Sequence, residues 1–343
     1  MAFRNSKLMS IYKEPISELR RDLVTQDWVV IATGRAKRPH DFAAQKKPRF
    51  RQPKKDCPFE YLHKEAVLAY AMDGGTKPSQ WWAQVIPNKY PAFAKGTCAA
   101  FEAEGPYEKT QGVGFHEVVI TRDHTRAIAE MSDQEVELII RAYQERYLKM
   151  KKDECVQYVS IFHNQGRLAG ASISHPHSQI IATPVVPPDV WRSIHGSKKY
   201  YEKYKTCVHC VMIRHEMQEG VRLIHENEGF ISFAPYASRT AFEMRVFPKE
   251  HRARFEDIGL HDRMLLSQAL RISMGKIAHG VNDPDLNFFL HTAPVKNGHT
   301  YYHWHFEIVP KTAIWAGFEI GTGIEISTIA PEDAAGFLRK IKV

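Results

Sequence analysis

Apolar and polar positions repeat in the same order twice along the chain. The first series opens on the short apolar run His116–Thr121 (HEVVIT), read as a strand, followed by the polar stretch Asp123-His124-Thr125-Arg126-Ala127. A helix is predicted next, because Ser132-x-x-Glu135 is a capping box and Val136, Ile139, Ile140, Tyr143 and Tyr147 recur at helical spacing. A strand at Tyr158–His163, a polar glycine turn and His175-Pro176-His177-Ser178-Gln179 then lead into the apolar run Ile180-Ile181-Ala182. The second series runs from a strand at Phe242–Phe247 through Glu250-His251-Arg252-Ala253-Arg254 to a helix over Asp262–Ala278. It continues with a strand at Leu286–His291, a glycine turn, and His303-Trp304-His305-Phe306-Glu307 in a strand ending at Val309.

The spacings agree as well: His124 precedes His175 by 51 residues, and His251 precedes His303 by 52. Two copies of one α+β unit account for this, each an antiparallel sheet with one helix packed across a face.

Composition narrows the class. At 343 residues, 43% hydrophobic and 25% charged, the chain is too apolar to be disordered. It has no run approaching the ~18 apolar residues of a membrane span and no apolar leader at its N-terminus, so a soluble, cytoplasmic protein without a membrane partner is expected. The net charge of +8 is local: nine Lys/Arg and one acid lie between Arg35 and Lys55, and the rest of the chain carries 38 of each sign. With no helix-turn-helix, finger or aromatic-studded RNA-binding strand, this segment is read as meeting the phosphates of a small nucleotide and not nucleic acid. Five cysteines, at 57, 98, 155, 207 and 210, are an odd number that argues against a disulfide framework and leaves metal binding or burial as their uses.

Within a strand, residues i and i+2 share a face, so each His-x-His pair is expected to set two imidazoles side by side. Cys207-x-x-Cys210 with His251 and His303 would complete a tetrahedral Cys2His2 zinc site. The first half holds a fainter version in Cys57, Glu60, His124 and His175, where a carboxylate replaces the second thiolate and His63 is a substitute ligand. The metal expected there is zinc or iron. His177 is then left for chemistry: it follows the small-residue turn Gly170-Ala171-Ser172, whose N–H groups and hydroxyl suit phosphate oxygens, and Gln179 shares its face. A neutral imidazole is a competent nucleophile at phosphorus. In the second half Glu307 matches Gln179 and its charge would repel a phosphate, so only the first half reads as catalytic.

These residues resemble the galactose-1-phosphate uridylyltransferases, the nucleotidyltransferase branch of the histidine-triad superfamily. The resemblance runs in order through LRRDLVTQDWVVIATGRAKRP (19–39), CPFE (57–60), VIPNKYPAF (85–93), RDHTRAIAEMS (122–132), HNQGRLAGASISHPHSQ (163–179), PKEH (248–251), YHWHFEIVP (302–310) and GFEIGTG (317–323). It implies two tandem histidine-triad-like units, 1–195 catalytic and 196–343 carrying the zinc site and sugar-phosphate contacts. It further implies that His177 takes UMP from UDP-glucose as a covalent uridylyl-histidine and passes it to galactose 1-phosphate in a ping-pong cycle. Residues matching the family's nucleotide contacts are Arg35, Arg38, Asn88, Asn164, Ser172 and Gln179, and Cys57, His124 and His175 match its first metal site. A homodimer is implied, with Phe318, Glu319 and Thr322 contacting the sugar phosphate across it. Two departures stand out: CPFE replaces CPFC, and GFEIGTGIEIS is closer to a branch that includes ADP-glucose phosphorylase-like adenylyltransferases. A histidine-triad nucleotide hydrolase and a non-enzymatic binder of phosphate or nucleic acid are the alternatives from other classes.

Overall fold

The structure is a computed structural model that describes residues 17–35, 41–42, 49–76, 80–296 and 298–343. Its strands are β1 (Glu18–Arg21), β2 (Trp28–Ile31), β3 (Leu68–Ala71), β4 (Trp81–Pro87), β5 (Glu102–Glu104), β6 (Tyr107–Lys109), β7 (Phe115–Thr121), β8 (Tyr158–Gln165), β9 (His177–Thr183), β10 (Leu223–Glu226), β11 (Phe230–Phe233), β12 (Met244–Pro248), β13 (Leu286–His291), β14 (His305–Pro310) and β15 (Ile326–Ser327). The helices are α1 (Asp133–Met150), α2 (Pro188–Tyr204), α3 (Val208–Glu219), α4 (Leu260–Gly280), α5 (Gly317–Thr322) and α6 (Pro331–Arg339). The fold is α+β.

Each series supplies three strands and two further strands precede it, and the five from each unit merge into one ten-stranded sheet of order β10-β11-β12-β14-β13-β8-β9-β7-β4-β3, antiparallel throughout. The order reads the same from both ends once β3, β4, β7, β9 and β8 are matched to β10, β11, β12, β14 and β13. The units join where β8 pairs with β13, and there Phe162 faces Phe289, 127 residues later in the chain. Both outermost strands have four residues, and both meet their neighbours with a register shift, between Tyr70 and Ala71 and between Leu223 and His225.

The predicted capping box starts α1: the Ser132 hydroxyl accepts from Glu135 N–H at 3.3 Å, and the Glu135 carboxylate accepts from Ser132 N–H at 2.7 Å. Val136, Ile139, Ile140, Tyr143 and Tyr147 are all buried against the sheet. The matching helix α4 lies antiparallel beside α1, tied by Arg263 to Gln144 at 2.7 Å and by Arg271 to Asp133 at 2.5 Å. One hydrophobic core runs under both helices, from Val159 and Ile180 to Met244, Phe306 and Leu338.

Several features differ from the sequence expectations. The strand expected from Phe242 begins at Met244, because Phe242 takes a left-handed φ of 66°. The hairpin β1–β2 packs on the second unit, with β15 parallel to β2 and Asp22 reaching Arg245 at 3.4 Å. The expected boundary at 195/196 falls within α2. Cys98 and Cys155 form a disulfide with Cα atoms 5.3 Å apart, which corrects the assignment of all five cysteines to metal binding or burial. An odd count excludes complete pairing, not one pair. Among the described residues no helix is long and apolar enough to cross a membrane.

Candidate active site and metal clusters

Strand β9 starts at His177 and not at His175, which corrects the reading of His175-Pro176-His177 as a pair on one strand face. Proline has no N–H to give a ladder, so regular pairing begins only after it. The consequence is a division of labour. His175 is fully buried and turns toward Cys57, whereas His177 is half-buried and its ring lies 5.2 Å from that of Phe59. His177 Nδ1 donates to the carbonyl of His175 at 2.8 Å, which places its proton on Nδ1 and leaves the Nε2 lone pair for an electrophile. Burial, outweighing the hydrogen bond that His177 donates to the His175 carbonyl, lowers the pKa of His177 from the ordinary imidazole value and so favours the neutral ring.

Beneath His177, His163 Nδ1 and Tyr143 both meet the Ser178 hydroxyl, at 3.0 and 2.5 Å, and His163 stacks on Phe288. Burial and the neighbouring His177 lower His163 to about 3. A cavity lined by Asn164, Gly166, Ala171, His163 and Pro176 adjoins a smaller one lined by His163, Pro176 and His177. The turn beside it depends on glycine at Gly166 (φ 85°), where a Cβ would sit 2.0 Å from the Asp285 carboxylate that accepts from Leu168 N–H. Gly170 N–H and Ala171 N–H are spent inside this turn, on Arg167 and Gly166 carbonyls, so of the three small residues only Ser172 has its N–H free among the described residues. Asn164 Oδ1 accepts from Asn287 at 2.8 Å, which leaves its own amide N–H groups without a protein acceptor among the described residues.

Gln179 shares the His177 face, and its carbonyl oxygen lies 2.7 Å from His116 Nε2; Asn88 lies 3.0 Å from the same nitrogen. Arg35 is described in backbone only, as the end of a short 3-10 helix, and Arg38 lies outside the described residues. Of the basic segment, Arg49 reaches the cavity but is taken up by Asp283 and Glu130. Phe318, Glu319 and Thr322 lie on α5 on the outside of the second unit; Phe318 and Thr322 are exposed, and Glu319 caps its own helix through Ala316 N–H at 3.0 Å.

Both predicted four-residue clusters assemble, each with its ligand atoms within 4.8 Å of one another. In the first, His124 Nδ1 meets the Glu60 carboxylate, and His175 Nδ1 lies 3.5 Å from both that carboxylate and Cys57 Sγ. The far nitrogens, His124 Nε2 and His175 Nε2, donate to the carbonyls of Gln52 and Thr121 at 2.7 and 2.6 Å. In the second, Cys210 Sγ lies 3.2 Å from His251 Nδ1 and 3.5 Å from His303 Nδ1, with the far nitrogens on the carbonyls of Thr300 and Pro248. Thr121 and Pro248 are 127 residues apart, so the support of the buried histidine is duplicated too. Inward lone pairs on both histidines, backed by carbonyls, are what a divalent ion needs. His63 does not take part: it turns to the Pro58 carbonyl and Glu65. In the second cluster a hydrogen bond from Cys210 holds the Cys207 thiol below its ordinary range, and the same contact pushes Cys210 up.

The second unit's counterpart of the His177 site is filled by charge. Glu307 is bound by Arg239 at 2.5 Å and by Arg245 at 3.2 Å, and burial notwithstanding, the two guanidinium groups hold it well below the usual carboxylate range. His291, His305 and Glu307 also come within 4.8 Å, but the two arginines beside the carboxylate oppose a cation there. Burial lowers His305 to about 4.

Residues 9–187 match the family described as galactose-1-phosphate uridyl transferase, N-terminal domain, and residues 103–339 match a domain of unknown function (DUF4921). The ADP-glucose phosphorylase of Arabidopsis thaliana is 35% identical over 333 residues, 95% of this chain and 93% of that protein. The galactose-1-phosphate uridylyltransferase of Thermotoga maritima is 27% identical over 339 residues, 95% of this chain and 99% of that one. Among solved structures, an ADP-glucose phosphorylase from Arabidopsis thaliana with bound ADP-glucose aligns with a TM-score of 0.79 at 32% identity, covering 96% of this chain and all of that one. A uridylyltransferase aligns with a TM-score of 0.74 at 27% identity, covering 94% and 97%.

Proposed function

Because the chain belongs to the galactose-1-phosphate uridyl transferase family, we propose that it moves a nucleoside monophosphate from a nucleotide-sugar to a phosphate-bearing acceptor in two displacements at His177. The observation that carries this is the fixed tautomer of His177, whose Nδ1–H is spent on the His175 carbonyl so that the Nε2 lone pair is left for an electrophile. In the first displacement Nε2 attacks the α-phosphorus, an N–P bond forms, and the P–O bond to hexose 1-phosphate breaks with the electron pair leaving on that oxygen. The leaving group departs as a phosphate anion and needs no proton. In the second, an oxygen of the acceptor phosphate attacks the same phosphorus and His177 leaves as the neutral imidazole it began as. Gln179, Asn164 and Ser172 donate to the phosphoryl oxygens, and Arg35 and Arg38 supply cationic contacts.

Zinc suits the Cys207, Cys210, His251 and His303 set, and zinc or iron the Cys57, Glu60, His124 and His175 set; a closed four-ligand ion is structural and offers no position to substrate. Through His175 such an ion would also stiffen the carbonyl that holds His177.

The donor we favour is ADP-glucose with inorganic phosphate as acceptor, supported by the 35% identity to a protein of that activity over nearly all of both chains. UDP-glucose with galactose 1-phosphate is the second reading, supported by the family match over residues 9–187 and the Thermotoga relative. A panel crossing ADP- and UDP-glucose with phosphate, glucose 1-phosphate and galactose 1-phosphate separates them. Intact-protein mass spectrometry after donor alone should show one acid-labile nucleotidyl group. An adduct that persists in His177→Ala overturns the mechanism, and rapid release of free nucleoside monophosphate without acceptor makes the protein a hydrolase. We further propose a homodimer in which Phe318, Glu319 and Thr322 of one protomer complete its partner's sugar-phosphate site. Mixing His177→Ala and Glu319→Ala protomers should then restore activity, and no rescue after subunit exchange argues against it.

A further inference from the structure

His116 is the second residue of β7 and lies beside Gln179, and the chain is wrapped around its ring. Asn88 N–H donates to the His116 carbonyl at 2.8 Å, and Ala92 N–H donates to His116 Nδ1 at 3.1 Å. A backbone N–H can only donate, so Nδ1 carries the lone pair and the proton of the neutral ring resides on Nε2. That Nε2–H has two neighbours. The Asn88 amide nitrogen at 3.0 Å cannot accept, and its orientation is set because Asn88 Oδ1 is taken by Tyr90 N–H at 2.9 Å. The Gln179 carbonyl oxygen at 2.7 Å can accept. The donor sequence therefore runs from Ala92 N–H to His116 to Gln179 Oε1.

A primary amide is nearly symmetric in shape, and reversing it end for end exchanges two donors for an acceptor. Facing an anionic phosphoryl group, the first orientation attracts and the second repels. Resting on the Proposed function, we infer that His116 is a positioning residue for nucleotidyl transfer: by occupying Gln179 Oε1 it leaves the Gln179 NH2 as the end that meets the α-phosphoryl oxygens. Among the described residues no protein group takes that NH2. The second unit lacks the arrangement, with Glu243 in the place of His116 and Glu307 in the place of Gln179.

The test is a double-mutant cycle read by rapid-quench formation of the nucleotidyl-enzyme from ADP-glucose or UDP-glucose, whichever the panel selects. Gln179→Ala should slow adduct formation by about 100-fold, the usual loss for one oxyanion donor. His116→Ala should slow it by about 10- to 50-fold with donor Kd changed by less than about threefold, since a donor lost from the transition state costs rate and not ground-state binding. The double variant should be no slower than Gln179→Ala within about twofold, because without the amide there is nothing to orient. His116→Gln, whose amide oxygen and nitrogen can take the two ring-nitrogen roles, should return the rate to within about fivefold of wild type. Losses that multiply in the double variant, or a His116→Ala rate within twofold of wild type, overturn the inference. Should His116→Ala not fold, His116→Phe, which keeps the ring and removes both nitrogens, takes its place in the cycle. A wild-type enzyme that forms no adduct, or an adduct in His177→Ala, would instead sink the underlying reading, whatever the cycle gives.

Discussion

Set side by side, the two units show one backbone holding opposite electrostatic arrangements. In the first, strand β9 sets His177 and Gln179 on one face, and the cross-strand neighbour of Gln179 is the apolar Val118. In the second, β14 presents His305 and Glu307, the cross-strand neighbour is Arg245, and the β1–β2 turn adds Asp22 from above. Glu307 stands where a ligand's anion would stand and is already satisfied by Arg239 and Arg245. The deeper layer differs likewise: the paired residues His163 and Ser178 in the first unit are Leu290 and Phe306 in the second. Duplication has kept the carbonyls behind the buried cluster histidines and the sheet register, and has separated the polar groups that handle charge.

The largest effect should separate the two histidines. His177→Ala is expected to abolish the nucleotidyl adduct and cut turnover by about 10⁴-fold or more, whereas His305→Ala should leave turnover of the folded protein within about threefold. Equal losses would mean that the second unit takes part in the chemistry. Exchanging the next residue sharpens the contrast. Gln179→Glu, giving the first unit the second unit's carboxylate, should slow adduct formation by about 10²–10³-fold through repulsion of the phosphoryl oxygens. The reverse change, Glu307→Gln, should cost about 1–3 kcal/mol in urea unfolding because Arg239 and Arg245 lose their shared carboxylate and keep only the longer contacts to Glu243 and Asp22; a stability unchanged within error would show that those remaining carboxylates suffice.

Metal removal comes next. Cys207→Ser should release zinc, read by elemental analysis, and lower Tm by ~5–10 °C while the remaining folded protein keeps most of its activity. The smallest effect is in pH. His163 and His305, at about 3 and about 4, lie below the ordinary 6.5, so the unfolded chain binds more protons between those values. Their contribution to stability is complete above pH 6.5 and declines as pH falls toward 4. His163→Leu, copying Leu290, should flatten the pH dependence of urea stability by up to about 1.4 kcal/mol per pH unit in that window. An unchanged slope would place the proton uptake elsewhere.

Much of this was legible in the sequence because it is local. The capping box at Ser132, the strand Leu286–His291 and the Cys57-x-x-Glu60 and Cys207-x-x-Cys210 halves of the two clusters depend on residues a few positions apart, and the distant histidines are legible only because their spacing repeats. What escaped depends on register between distant strands. Joining the units through β8 and β13 requires Phe162 to meet Phe289, and nothing near either residue announces it. His116 was passed over as an ordinary strand residue, since its role appears only when Gln179, 63 residues later, and Ala92, 24 earlier, close around it. The Cys98–Cys155 bond was hidden by the odd count, and the arginines around Glu307 come from strand and loop positions with no motif between them.

The ends of the long sheet bear on how copies of the chain can meet. An outer strand with unpaired N–H and C=O groups invites another chain to continue the ladder, a route to open-ended polymers. Here β3 and β10 are four residues long and each is thrown out of step by a bulge, so neither offers the flat, regular edge that such growth needs. A sheet of ten strands thus stops itself at both margins. Growth by continuing the ladder is thereby disfavoured, and a concentrated solution should stay free of thioflavin-positive fibrils.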